Sequence, residues 1–588
     1  MTDITDCLLT NNIYIKKLTG IRATTLELEA QRNSLIVESH VVVIKNKKGF
    51  FPVHKGIRVE DILNYLKNDS IKYKKIMTTP ESYNKVVIAA NLASIDLYKE
   101  FFFLFDECDR TVKDVDYRKT IILPMNDFFK FENKAFISAT AVVPSDPRFE
   151  EQNFEIVEVM PDYDYSKEIK LIITNSTFSA LRYEMNAVSD RPICIFLNSI
   201  KCIAEVIRQM DIKEEAHIYC SEDKMYPLRA HGYKAFDNIE HKDDGNGITI
   251  MKHAKYNFFT CRFNAAVDMI MCVNPTVIMV TNLYEAEHTV VDPNSEAVQV
   301  VGRFRRGVND IIAISNIKDM GAKTEIEAKS YLAGCKHSYE DIKRLLLAST
   351  TEGAKDTLAE ALKLVTYSNF VNPDGSDNHY MFDCFLYDES VKMKFQSEEN
   401  LINSYTNSYF RPIVERERYP ISDEDYKFSK SGVSFNQIKE VLINALDKLT
   451  ISDYKFEISN NQEVIEQLRQ SFPDIVRGYF TLGADRLKSC YSLHNLKSEM
   501  KLKYKDAQKS NYNFIKELQE VFYDGLEDTT VELVKLLETV IKKVGLDLKP
   551  NLKLLDDYFI LSKRKSLKVS REKGYTVLKS RFNRVDNE

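Results

Sequence analysis

Five consecutive apolar residues, 101–105, run without a break into Asp106, Glu107, Cys108, Asp109 and Arg110. An unbroken apolar run of this length reads as a strand covered on both faces, the kind found inside a parallel sheet. In open α/β sheets, ligands bind beyond the carboxyl ends of such strands. Two carboxylates at that end can hold Mg²⁺ through oxygen ligands and position or deprotonate a water. A strand that closes in a solvated acidic turn is the other reading of the same residues.

The chain has 588 residues, more than one core can serve, and the length predicts roughly three or four domains. Its net charge of −6 leaves any nucleic-acid partner to local patches. No stretch has the apolar length of a membrane span, and the first six residues are acidic, unlike a signal peptide. Ten cysteines without a Cys-x-x-Cys pair read as free thiols of a cytoplasmic protein, neither a disulfide framework nor a zinc site.

Residues 13–18 alternate as a strand and lead into Thr19, Gly20, Ile21, Arg22, Ala23, Thr24 and Thr25, then into helix-favouring residues 26–30. Strand, glycine-containing loop and helix is the layout of a phosphate-cradling loop. A complete loop has a second glycine and a lysine before its hydroxyl residue, and Arg22 and Ala23 stand in those places. Thr24 can still offer its hydroxyl to Mg²⁺, while backbone N–H groups need no particular side chain. An ordinary helix N-cap by Thr24 is the alternative. Residues 34–38 and 41–44 read as further strands. Residues 76–78 end in Thr79, Pro80, Glu81 and Ser82, hydroxyl groups placed to touch the phosphates of a strand-like ligand, or a Pro-initiated turn. Residues 134–137 run into Ser138, Ala139 and Thr140.

A second alternation follows, with strands at 155–160, 169–173, 192–197, 217–220, 258–260 and 276–280. Asn198 and Ser199 close one of them; Thr260 opens a polar turn that closes at Asp268. Two such halves of roughly 150 residues predict two doubly wound parallel sheets facing each other. Residues 296–307 then carry Gln299-x-x-Gly302-Arg303-x-x-Arg306. Read as a helix entering a turn, Gln299, Arg303 and Arg306 share one face. Paired guanidinium groups suit the spread charge of a transferring γ-phosphate, and a glutamine can orient a water. A basic surface helix is the plain alternative.

Taken in order, these stretches resemble the motifs of superfamily 2 nucleic-acid helicases of the DEAD/DEAH type, over about residues 10–320. The resemblance implies two tandem RecA-like lobes with ATP and Mg²⁺ in the cleft between them. It implies that Gly20, Arg22, Thr24 and Thr25 cradle the phosphates, and that Asp106 and Thr24 hold Mg²⁺. Glu107 would act on the hydrolytic water, with Gln299, Arg303 and Arg306 reaching across from the second lobe. Ser138 and Thr140 would couple nucleotide to nucleic acid, and Thr79, Asn198 and Thr260 would lie along the sugar–phosphate track. The departure is Ala23, where the family has lysine; Arg22 is adjacent but points along a different vector. Retention of Asp106, Glu107, Arg303 and Arg306 favours an ATPase that still turns over. Ala23 favours the alternative, a hydrolysis-deficient helicase-like scaffold in a replication or mobile-element complex.

Beyond Met320 the alternation is expected to stop. Residues 326–347 and 354–367 read as helices with apolar faces on Leu345, Leu346, Leu347, Leu358, Leu362 and Leu364. Residues 371–378 form the clearest loop, and 435–449 and 462–472 continue the helical pattern. Residues 528–544 read as an amphipathic helix stopped by Gly545, with 554–561 a short further helix. The basic end that follows resembles the wing of a winged-helix module, with Lys563, Arg564 and Lys568 on phosphates and Tyr575 stacked on a base, or is a solvated tail. The expected organisation is a first lobe over 1–153, a second over 154–320, a helical accessory region over 321–500 and a basic module over 501–588. The expected activity is ATP-dependent unwinding or translocation on a nucleic acid, DNA ahead of RNA.

Overall fold

The computed structural model describes residues 6–243, 249–264, 268–419, 422–425, 434–450, 465, 466, 468, 469, 472–567 and 571–581. The apolar run forms a strand, Phe101–Asp106, in which every residue is buried. Phe101, Phe103 and Phe105 pack on one side with Phe128, Phe131 and Phe136. Phe102 and Leu104 pack on the other with Leu26, Ile36 and Met77. This two-sided burial is what the unbroken pattern requires.

The first sheet comprises β1 (Asn12–Ile15), β2 (Asn33–Val37), β3 (Phe51–Val53), β4 (Lys75–Thr78), β5 (Phe101–Asp106), β6 (Asn133–Ser138) and β7 (Glu155–Glu158). Its order is β3-β4-β2-β5-β6-β1-β7, with every pairing parallel. The second comprises β8 (Lys167–Thr174), β9 (Ile193–Phe196), β10 (Ala216–Tyr219), β11 (Lys234–Phe236), β14 (Tyr256–Phe259), β15 (Thr276–Thr281), β16 (Asp310–Ser315) and β17 (Phe410–Glu417), with an antiparallel ribbon of β12 (His241–Asp243) and β13 (Thr249–Met251) inserted. Its order is β11-β10-β14-β9-β15-β16-β8-β17, again parallel throughout. These are two tandem RecA-like lobes, and a mostly helical region follows them.

Several expectations need correction, the first being that residues 155–160 open the second alternation: β7 (Glu155–Glu158) pairs with β1 and closes the first sheet. Residues 41–44 are not a strand: they lie in a helix, Val41–Asn46. Ile44 is buried in the first lobe's core and Val42 packs against the second's, so tertiary burial overrides the β-preference of three valines. The alternation does not stop at 320, because β17 adds a parallel strand beside β8. Between them, Tyr367, Phe370, Tyr380 and Met381 join the first lobe's core while Phe395, Leu401 and Phe410 join the second's. Leu345, Leu347 and Leu364 are exposed, and the buried positions of helix Glu325–Ala348 are Ala328 and Leu332. Residues 554–561 change type part-way, from helix Leu552–Asp556 to strand β19 (Phe559–Leu561), where Phe559 enters a core of Phe522, Leu537 and Val577.

The chain divides into two compact units, Met1–Glu424 and Asp425–Glu588. The second unit pairs helices with a small antiparallel sheet in which β18 (Glu527–Thr529), β19 and β20 (Lys565–Ser566) all pair with β21 (Lys573–Ser580). Helix Thr530–Val544 ends at Gly545, whose φ of 73° is the left-handed C-terminal stop that glycine adopts without strain. The expected helix at 462–472 lies largely outside the described residues, as do 265–267 of the polar turn. No helix among the described residues is long and apolar enough to cross a membrane, and all ten cysteines are free.

Candidate active site

Register brings the site together. Ile15 stands opposite Ser138, Val37 opposite Phe105 and Asp106 opposite Ile137, so Lys16, Glu38 and Glu107 leave their strands at one edge of the first lobe. The loop from β1 turns through positive φ at Lys17 (55°), Gly20 (75°) and Arg22 (63°). Left-handed backbone costs a residue with a β-carbon about 1–2 kcal/mol, so Lys17 and Arg22 hold conformations more easily met by glycine. The helix then starts at Ala23, with Arg22 in the N-cap place and making no side-chain cap bond. Thr24 is therefore inside the first turn and is not the cap. Its Oγ1 donates to Asp106 Oδ2 at 2.5 Å.

Two lysines that the sequence did not single out stand on this pair. Lys16 Nζ lies 3.6 Å from Asp106 Oδ1, and Lys47 Nζ lies 3.5 Å from Thr24 Oγ1. Burial pushes the Asp106 carboxyl up, but Lys16, Lys47 and the Thr24 hydroxyl outweigh it and hold the group below its ordinary value. Burial likewise pulls Lys16 down, and the charges of Asp106 and Glu107 raise it overall.

Glu38 is a buried third acid beside them, accepting from the His40 N–H at 3.2 Å. Burial, then the charge of Asp106, pushes its carboxyl up to about 8 against the pull of Lys47. The folded chain thus keeps a proton that the unfolded chain releases, and Glu38 weakens the fold progressively from the usual carboxylate range up to about 8. Glu38→Gln is expected to raise the melting temperature by an increment that grows across that interval. A pH-independent increment in a thermal-melt series contradicts this.

Asp109, fully buried, is the hub of the acidic box. It accepts from Ser138 Oγ at 2.6 Å, Lys113 Nζ at 3.0 Å, Thr140 Oγ1 at 3.1 Å and Gln299 Nε2 at 3.4 Å. Burial opposes its charge, but Lys113 and Arg110 more than compensate and hold its carboxyl well below the usual range. Glu107, at φ 51°, accepts from Ser138 Oγ at 3.3 Å.

The second lobe meets these groups through helix Glu296–Gly302 and the turn after it. Gln299 accepts from Arg110 Nη2 at 2.8 Å and donates to Thr140 Oγ1 at 3.1 Å, which ties the lobes together. Arg303 Nη2 reaches Glu107 Oε1 at 3.5 Å, and its Nε is buried without a partner. The helix ends at Gly302, so the single helical face drawn through Gln299, Arg303 and Arg306 is not continued. Arg305 pairs with Asp268 at 2.7 Å, while Arg306 is exposed in the turn. A β-carbon at Gly302 would collide with the Thr19 hydroxyl, and one at Gly20 would meet the Arg305 guanidinium. Gly302→Ala is accordingly expected to force this seam apart at about 1–3 kcal/mol. Calorimetry should show an earlier first transition; an unchanged melt contradicts it.

The remaining expected site residues are dispersed. Thr25 is half-buried on the helix after the loop, and Thr79 is buried at the end of β4. Asn198 donates to His288 O at 2.8 Å and accepts from Cys261 N at 3.3 Å, next to Thr260, which donates to Tyr219 O at 3.3 Å. Lys563 and Arg564 are exposed between β19 and β20, and Lys568 lies outside the described residues.

Thr24 Oγ1 and Asp106 are hard oxygen donors of the kind that suit Mg²⁺. Among the described residues no group of three His, Cys, Asp or Glu is placed to hold a metal by itself. The orphaned Nε of Arg303 is a buried donor of the kind an anion satisfies.

No protein-family model matches this chain, and no curated protein matches it. Solved structures similar to it include the Mycobacterium smegmatis helicase Lhr bound to ssDNA and AMP-PNP, at TM-score 0.32 and 11% identity over 52% of this chain and 44% of that one. S. cerevisiae Dbp5 bound to RNA and ADP BeF3 is similar at TM-score 0.34 and 12% identity, over 66% of this chain and 90% of that one. A DEAD box protein from the hyperthermophile Methanococcus jannaschii is similar at TM-score 0.28 and 16% identity, over 52% and 82%. This chain spans less than half the length of the Lhr helicase. At such TM-scores the chemistry of the site rests on its own geometry.

Proposed function

We propose that this chain is an ATP-dependent nucleic-acid helicase or translocase of the superfamily 2 type, hydrolysing ATP between its two lobes while gripping a strand. The observation that carries the reading is a single cluster of side chains in which Thr24 and Asp106 of one lobe stand beside Glu107, itself in contact with Arg303 of the other. Thr24 and Asp106 would hold Mg²⁺, which when bound neutralises charge on the phosphates. The N–H groups of the loop around Gly20 and Arg22, with Thr24 and Thr25, would cradle the phosphates. Glu107 accepts a proton from the attacking water, and Arg303, assisted by Arg306, faces the charge that develops on the phosphoryl group. Gln299 reports lobe closure to Thr140 and Asp109, and Ser138 shares the signal between Asp109 and Glu107.

Closure on nucleotide and opening after hydrolysis would alternate the grip on the strand. Thr79 on the first lobe, with Asn198 and Thr260 on the second, is the proposed backbone track. Exposed Lys563 and Arg564, with Lys568, would add phosphate contacts from the second unit. DNA is the proposed track. Phosphate release from Mg-ATP, measured alone and with single-stranded DNA or RNA, tests the reading. Release that rises with nucleic acid is expected, and the responding strand identifies the track. No release above background with either strand leaves the scaffold reading that Ala23 favours.

A further inference from the structure

Residue 23, where a phosphate loop carries its lysine, is an alanine at the start of the helix and 3% exposed. A triphosphate in this cleft would bring several negative charges toward Asp106, Glu107 and Glu38, so the absent cation matters. Positive charge nevertheless reaches the place from outside the loop. Lys16, directly after β1, is buried and fixed on Asp106 at 3.6 Å. Lys47, directly after helix Val41–Asn46, is exposed, and its ammonium rests 3.5 Å from the Thr24 hydroxyl that in turn donates to Asp106.

We propose that Lys47 is the phosphate-binding lysine of this site, with Lys16 paired to Asp106 beneath it, so that the charge of the loop has moved to the end of a neighbouring helix. The two lysines divide the work by their settings. Lys16 is enclosed, and moving it would leave Asp106 uncompensated in a buried place. Lys47 sits on a flexible, exposed four-carbon stem, its ammonium rests at long range on a neutral hydroxyl, and it can swing onto phosphate oxygens as a mobile point charge.

The inference rests on the ATP-motor reading above, and the test separates the two. The full chain is titrated with mant-ATP in the presence of Mg²⁺, as wild type, Lys47→Met and Lys47→Arg, with a thermal melt confirming that each variant is folded. Lys47→Met keeps most of the stem and removes the charge, and is expected to weaken binding on the order of tenfold or more. Lys47→Arg keeps the charge and is expected to stay within a few-fold of wild type. Binding by Lys47→Met as tight as wild type overturns the proposal and leaves the motor reading standing; equal losses in both variants overturn it as well, because shape rather than charge would then matter. A wild-type chain that fails to bind mant-ATP overturns the motor reading and this proposal with it.

Discussion

Glu107→Gln is expected to cut ATP turnover about 10²–10⁴-fold while leaving nucleotide binding intact. The side chain stands beside Asp106 and Thr24 without belonging to that pair, accepting from Ser138 Oγ at 3.3 Å and facing Arg303 at 3.5 Å. An amide of the same shape still accepts from Ser138 but has no carboxylate to take a proton from water. The groups proposed to hold the phosphates and Mg²⁺ are untouched, so the loss falls on the chemical step. Phosphate release and mant-ATP titration on the same preparation check this. Turnover equal to wild type contradicts the role of Glu107, and parallel loss of binding shows that the residue shapes the pocket instead.

The second large effect is on stability. Asp109→Ala removes the carboxylate on which Lys113, Ser138, Thr140 and Gln299 converge. Lys113, whose side chain is 4% exposed, is left with an uncompensated buried charge, and breaking a buried pair in this way costs about 3–5 kcal/mol. The fold holds the Asp109 carboxyl well below its ordinary range. Its contribution is therefore complete above the unfolded carboxyl's range and is lost as pH falls toward the lower folded value. Thermal melts should show the first transition displaced downward at neutral pH, with the gap to wild type narrowing in acid. An unchanged transition at neutral pH contradicts the hub assignment.

Strand β5 was legible because a strand covered on both faces has little choice but to be apolar throughout, and its carboxyl end followed from that. The meeting of Thr24 with Asp106 was legible only through the family resemblance, and the sheet accounts for it, since parallel strands present their carboxyl ends together. Lys47 was hidden because three valines in a row resemble a strand, and only packing against both lobes makes that segment a helix. Lys16 reads as one more polar residue of an alternating strand; its meaning lies in the register that sets Ile15 beside Ser138 and so delivers the next residue to Asp106. At the second lobe, the spacing of Gln299 and Arg303 was informative although the helical face was not. The helix ends at Gly302, whose missing β-carbon lets Thr19 come close, and the turn then directs Arg305, not Arg306, onto Asp268. β17 was beyond reach of local pattern, because its partner β8 lies more than two hundred residues earlier.

The central claim, that an acid of one lobe and a guanidinium of the other act on one triphosphate, is tested most directly by a double-mutant cycle. Single-turnover ATP hydrolysis is measured for wild type, Glu107→Gln, Arg303→Ala and the combined variant, each saturated with nucleotide and nucleic acid. If both groups serve the same step, each single change slows it by orders of magnitude and the combined variant is hardly slower than the worse single one. Losses that simply multiply, or an Arg303→Ala chain as fast as wild type, would show that the two side chains do not share a substrate.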